Sequence, residues 1–257
     1  MKTLRPLLAA LALAAALAGS PPVGRPAAAQ PANDAPCRPL LHEDAQYTVC
    51  TIDLRKYRLR LFWRSPGGEP YGSFDRLKAA HPELAFAMNG GMYHEDRSPV
   101  GLYVEDGREM KRANTANGPG NFHLKPNGVF FVGRDAAGVL ETGQYLRRKP
   151  KAEIATQSGP MLVIDGGIHP KIAEEGVSRK PRNGVGVRDP HTVVFAISDG
   201  LVTFGQFARL FRDALGCRNA LFLDGGSASS LYAPALRRSD GHVPLGPIVG
   251  AVEKRAR

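Results

Sequence analysis

The chain has no Cys-x-x-Cys pair, no His-Glu-x-x-His, no Gly-x-x-x-x-Gly-Lys loop and no Gly-x-Gly-x-x-Gly following a strand. Thiolate-held zinc, zincin chemistry and the common nucleotide cradles therefore have no footing in it. Its seven histidines stand singly, with His94 after Tyr93 and His123 in Gly-Asn-Phe-His the two that stand out, and neither a metal nor a cofactor is expected. Aromatic residues make up 7% of the chain, with one tryptophan. The basic clusters (Arg55, Lys56, Arg58 and Arg60; Arg147, Arg148, Lys149 and Lys151; Arg179, Lys180 and Arg182) have no aromatic ladder beside them. A nucleic-acid footprint would want one, together with a recognisable binding motif, so no nucleic-acid partner is expected. After residue 19 no segment is apolar for the roughly 20 residues that a membrane span needs. Position 20 is Ser, so the cysteine of a bacterial lipid anchor is missing as well.

The N-terminus does carry a signal. Lys2 and Arg5 precede an apolar stretch from Leu7 to Gly19, and small residues follow as far as Ala27-Ala28-Ala29. This is the pattern of a secretory signal peptide, residues 1–29, cleaved near Ala29. The expected product is periplasmic or secreted, with no integral membrane segment. Losing Lys2, Arg5 and Arg25 and no acids takes the formal charge from +10 to +7. A basic exported protein points to anionic glycans or phosphodiesters as partners. Three cysteines cannot all pair within one chain; the close pair Cys37 and Cys50 is the simplest disulfide in an oxidising compartment, leaving Cys217 free. A Pro/Ala-rich segment occupies 30–46, one domain fills 47–252, and 253–257 form a basic tail.

Turn signals every few residues divide that domain into short elements. Tyr47–Ile52, Leu59–Trp63, Leu84–Met88, Gly101–Glu105, Val129–Val132, Val139–Glu141, Ile154–Gln157, Met161–Ile164, Val185–Val187, Thr192–Ile197 and Ala220–Leu223 read as strands, several joined as hairpins. Ser73–Ala80 reads as a short helix. A second helix is better marked: Thr203 with Gln206 makes a capping box, Phe207, Leu210, Phe211 and Ala214 share a face, and Gly216 is the stop. A strand, this helix and a further strand imply one crossover among otherwise antiparallel pairings. The fold class is α+β, a single domain of mixed, largely antiparallel sheet with a few flanking helices.

Three apolar runs end alike: AFAMNGG at Asn89-Gly90, LVIDGG at Asp165, and LFLDGGS at Asp224-Gly225-Gly226-Ser227. Asp-Gly alone marks an ordinary turn, as at Asp106 and Asp199. Two glycines and a hydroxyl after a buried strand also suit close approach of an anion to the backbone. Gln157-Ser158 and Arg182-Asn183 stand at comparable strand breaks, and a guanidinium fits phosphate oxygens in a bidentate way. Gly-Gly-Ser-Ala-Ser departs from the serine-hydrolase Gly-x-Ser-x-Gly elbow, and His242 is its one downstream histidine.

Taken in order, MNGGMY, SPVGLYVEDG, GNFHLKPNGVFFVG, TQSGPMLVIDG, RNGVGV, VVFAISDG and FLDGGSASSLYAP resemble the phosphodiester glycosidase family over roughly Tyr47–Val252. The lysosomal branch of that family removes N-acetylglucosamine from a sugar-1-phosphate diester. The resemblance implies a hydrolase of sugar-1-phosphodiesters in a glycan or cell-envelope polymer, with the three loops lining one cleft. It carries Asp224 and Asp199 as catalytic carboxylates. Asn89, Gly90, Gln157, Ser158, Arg182, Asn183, Gly225, Gly226 and Ser227 become substrate- or phosphate-binding positions, with Tyr93 and His123 as further candidates. A non-catalytic carbohydrate or cell-wall binding protein using the same cleft is the alternative.

Overall fold

The computed structural model describes residues 35–134, 136–241 and 243–254. The signal segment, His242 and the last three residues of the basic tail lie outside them. Along the chain come β1 (Cys37–His42), β2 (Ala45–Asp53), β3 (Tyr57–Phe62), α1 (Phe74–Ala80), β4 (Leu84–Asn89), β5 (Tyr103–Glu105) and β6 (Arg108–Lys111). Then follow β7 (Gly128–Gly133), β8 (Ala137–Glu141), α2 (Thr142–Arg148), β9 (Ala152–Ser158), β10 (Met161–Ile164) and β11 (Gly167–Ile168). The last third holds β12 (Asn183–Asp189), β13 (Thr192–Ser198), α3 (Phe204–Arg209), β14 (Asn219–Phe222), β15 (Leu231–Ala233), β16 (Arg238–Ser239) and β17 (Ile248–Glu253).

The strands form three sheets. One has seven strands in the order β1-β2-β13-β12-β14-β10-β11; the others have five each, β16-β15-β4-β17-β3 and β6-β5-β9-β7-β8. Pairing is antiparallel throughout these sheets. The α+β reading holds, and so does the crossover, in a modified form. β13 and β14 run the same way, as α3 between them requires, but β12 sits between them and opposes both. Strand structure among the described residues begins with β1, which pairs with β2. In that register Cys37 faces Cys50, and the two form the expected disulfide, while Cys217 is free and buried.

Side-chain alternation distributes the core. Val185, Phe195, Leu221, Met88, Phe130 and their neighbours fill the space between sheets. The other face of the seven-stranded sheet packs against α3 through Phe207, Phe211, Leu215 and Cys217. The Gly-Val-Gly-Val run of β12 is explained by this helix. A Cβ on Gly184 would stand 3.2 Å from the Phe207 ring, and one on Gly186 would stand 2.7 Å from the Cys217 sulfur. The glycines let α3 settle on the strand. Burying a phenylalanine there contributes about 1.5–3 kcal/mol.

Thr203 and Gln206 make the capping box read from the sequence. The expected face holds for Phe207, Leu210 and Phe211 but not for Ala214, which is exposed. After Arg209 the helix widens into a π turn over Leu210–Ala214, which inserts a residue into the turn and hands the buried place to Leu215. Gly216, at φ 64°, ends it.

Candidate active site

The strand ends that carry the polar loops converge at one place. Asp224 follows β14, Asn183 opens the neighbouring β12, Asn89 closes β4 in a second sheet, and Ser158 closes β9 in the third. The Asn183 Oδ1 accepts from the Asp224 amide (3.2 Å), and the Asn89 Nδ2 donates to the Asp224 carbonyl (2.8 Å). Asn183 Nδ2 in turn donates to Asn89 Oδ1 (2.5 Å), which also takes the Ser230 amide (2.9 Å). One residue earlier, the Ser158 hydroxyl donates to the Leu223 carbonyl (2.5 Å). Both asparagines and Ser158 are buried. The backbone of Asp224 is thus fixed on both its polar groups by neutral amides, and its carboxyl group is left free of them.

That carboxyl group has no ion-pair partner among the described residues. Burial pushes its pKa up to about 7, because removing a carboxylate from water penalises the charged form. Tyr93 stands close by: its pKa is raised first by burial and then by the Asp224 charge. The Tyr93 hydroxyl donates to the Pro244 carbonyl (3.1 Å), and the Arg97 guanidinium lies over its ring at 5.6 Å.

The two glycines after Asp224 differ in purpose. Gly225 is bare because the Phe222 ring and the Pro181 carbonyl occupy the space of a side chain, 2.7 and 2.9 Å from an added Cβ. Gly226, at φ 66° with open space beside it, makes the turn, and its amide is taken by the Pro181 carbonyl (2.9 Å). Ser227 is exposed at the rim, while the hydroxyls of Ser229 and Ser230 are buried with no partner among the described residues. Gly90 is tied by its amide to the Pro247 carbonyl (2.7 Å).

Other expected residues hold the surroundings. The Gln157 side chain uses its full capacity within the chain: Oε1 accepts from Leu102 and Asn114 amides, and Nε2 donates to the Asn114 carbonyl and the Thr142 hydroxyl. The His123 Nδ1 lies 3.1 Å from the Ala116 carbonyl in the same loop. Arg182 is one of the most buried side chains. Its guanidinium stacks 3.5 Å from the Phe204 ring centroid, Nε donates to the Val202 carbonyl (3.0 Å) and Nη2 to that of Ser178 (2.9 Å). Desolvation lowers its pKa to about 10.

Asp199 follows β13, at the same sheet end as Asp224 but two strand spacings away, about 10 Å between backbones. Its carboxylate pairs with the Arg238 guanidinium and accepts from the Thr48 hydroxyl (3.2 Å). The Asp165-Gly166 loop does not join the site, contrary to the expectation of three loops lining one cleft. With φ of 49° and 91° it is a two-residue hairpin turn between β10 and β11. Because β10 opposes β14, the turn lies at the start of β14, bonded to Asn219 and Arg218, at the far end from Asp224.

The sequence reading passed over Ser229, Ser230 and Arg97. Runs of serine read as loop filler. Arg97 has one visible mark in the structure, a positive φ of 67° that few non-glycine residues adopt.

Comparison with known proteins places this arrangement. Residues 82–253 match the family described as phosphodiester glycosidase. The uncharacterised protein YigE of Escherichia coli K12 is 36% identical over 185 residues, 71% of this chain and 72% of its own length. The catalytic domain of zebrafish N-acetylglucosamine-1-phosphodiester alpha-N-acetylglucosaminidase, auto-inhibited by its pro-peptide, superposes with a TM-score of 0.58 at 17% identity, covering 85% of this chain and 82% of that one. A hypothetical protein from Synechocystis gives 0.55 at 15% identity, covering 85% and 61% respectively.

Proposed function

This chain belongs to the phosphodiester glycosidase family, a family of hydrolases acting on sugar-containing substrates, and we propose that it cleaves the glycosidic C–O bond of a sugar-1-phosphodiester in an exported glycan or cell-envelope polymer. The observation that supports this most directly is Asp224, a carboxyl group with a pKa of about 7, backbone-locked and with its side chain uncommitted. A binding module needs no such group. A glycosidase does, since an acid or base is most effective with a pKa near the working pH.

Atoms balance simply. Water adds to the anomeric carbon, the bond from that carbon to the phosphate oxygen breaks, and the phosphomonoester departs as an anion that needs little protonation. Asp224, ionised, takes the proton of the attacking water. Asn89, Asn183 and Ser158 hold its backbone in place, and the exposed Ser227 hydroxyl supplies a hydrogen bond for sugar or phosphate. Two Arg182 donors already serve carbonyl groups, so its phosphate contact falls to Nη1. Arg182→Lys, which loses the planar fork, is expected to lower kcat/KM on a phosphodiester at least tenfold. A rate equal to wild type would remove Arg182 from the site.

The reaction run in heavy-oxygen water tests the assignment. Label in the released sugar is the expected result. Label in the phosphate would make the protein a phosphodiesterase, and release of no sugar at all would leave a binding protein.

A further inference from the structure

A cavity lies beside the β3 edge of the sheet β16-β15-β4-β17-β3. It encloses ≈ 330 Å³ where β3 meets β5 and β6, and Arg60, Trp63, Arg64, Tyr71, Glu105 and Arg108 are among its walls. We infer that this cavity is a second subsite, one that takes the neighbouring phosphate-bearing unit of a polymeric substrate, so that the protein acts on repeating sugar phosphates rather than on a single terminal cap. The inference rests on the function proposed above and adds the substrate class.

Its position comes from strand register. Phe62 faces Ile248, and Ile248 faces Asn89, so the β3 end is two strand spacings, about 10 Å, from the residue that holds Asp224. Trp63 and Arg64 follow Phe62 immediately. The ground between is not neutral: Arg97 lies over Tyr93, beside Asp224. Asp96 next to it is held below its usual pKa chiefly by Ser98, with His94 and Arg64 adding to the effect. Arg64 and the Asp96 loop are therefore electrostatic neighbours.

The chemistry of the walls fits such a unit. The Arg64 guanidinium lies 4.3 Å from the Trp63 ring centroid, with Nη1 donating to the Gly68 carbonyl (2.7 Å), and the residue is exposed. Arg60 lies over Phe62 at 5.0 Å, 3.5 Å from the Asp106 carboxylate. Arg108 is exposed with no ion pair among the described residues. The one acid in the wall, Glu105, has its pKa raised by burial, and its carboxylate is engaged by the Tyr103 hydroxyl (2.7 Å). Guanidinium groups for phosphate and aromatic surface for a sugar make a consistent set. The volume is at the small end of ligand sites, about 300–1,000 Å³, which suits one repeat unit.

The test compares two probes, a methyl phosphodiester of a single hexose 1-phosphate and a synthetic oligomer of such units. In the double variant Arg64→Ala, Arg108→Ala, both positions being exposed, KM for the oligomer is expected to rise about tenfold or more, with kcat and the single-unit kcat/KM within about twofold of wild type. Equal effects on both probes, or none on either, would overturn the subsite. Calorimetric titration of the oligomer into Asp224→Asn protein, with and without the two arginines, reads the subsite apart from turnover. Weaker binding without the arginines upholds it even if wild type hydrolyses neither probe, in which case the catalytic reading alone falls. Unchanged binding overturns the subsite whatever the turnover.

Discussion

Asp224 and Asp199 occupy equivalent positions, each following a strand of the same sheet, running in the same direction and ending at the same edge. Their fates differ. Asp199 sits in a charged rim with Arg238, Thr48 and Asp240, where the Arg238 guanidinium ties the β13 end to the turn after β16. Asp224 is met by amides alone, and these bind its backbone. Asp199 is tied to charged and hydroxyl partners. Burial among neutral donors raises the Asp224 pKa to about 7, because nothing compensates its ionisation.

The largest test of this contrast is Asp224→Asn, which keeps shape and removes the titratable group. Turnover is expected to fall by about 10² to 10⁴ with glycan binding retained, and steady-state kinetics beside a binding titration would measure both. The same change should stabilise the protein in mild alkali. Asp224 has a folded pKa of about 7 against 3.8 ordinarily, so between those values the folded protein keeps a proton that the unfolded chain has released. Stability therefore falls as pH rises through that window and levels off above it, by on the order of 1–3 kcal/mol. Thermal unfolding at pH 8 should give Asp224→Asn the higher Tm.

Next in size is the pH dependence of the wild-type enzyme. With Asp224 acting ionised, kcat/KM should climb through pH 7 and be about a hundredfold lower at pH 5 than on its plateau. A profile that declines above 7 would mean that the protonated acid is the working form. Asn183→Ala comes third. It strips the Asp224 amide of its acceptor and Asn89 of a donor, at a cost of about 1–3 kcal/mol in denaturant unfolding, and turnover should drop about tenfold as the carboxyl group loses its fixed position. Smallest is Asp199→Asn, where a part-exposed ion pair contributes about 0–1 kcal/mol. Turnover within a few-fold of wild type is expected, and a collapse matching that of Asp224→Asn would make Asp199 a catalytic partner.

Local chemistry was readable where it is local. The capping box at Thr203, the Ser73 cap, the Asp106-Gly107 hairpin and the facing cysteines each depend on a few adjacent residues. Helix α2 escaped notice because its cap is Glu141, an unusual choice, and Gly143 interrupts its first turn. β17 escaped because Gly250 breaks its alternation, and that glycine is required where the Leu84 and Phe62 side chains close on the strand. At the site, the motif order brought out Asn89, Ser158, Asn183 and Asp224 as polar positions at strand ends. Nothing in their spacing says that Asn89 reaches across to the Asp224 carbonyl, since such pairings are made by sheet packing between distant segments. Arg182 shows the converse: its burial against Phe204 is a tertiary fact, and a buried arginine is spelled like an exposed one.

β17 also bears on how the molecule is made. It is the last strand among the described residues, yet it lies inside its sheet, with β4 on one side and β3 on the other. A polypeptide emerging N-terminus first presents β3 and β4 early and can join them only when Ile248–Glu253 arrives. Until then Asn89, at the end of β4, stands on an unclosed sheet. Hairpins such as β1 with β2 can form early in synthesis, but the bond from Asn89 to the Asp224 carbonyl belongs to a sheet that closes only when β17 has joined it.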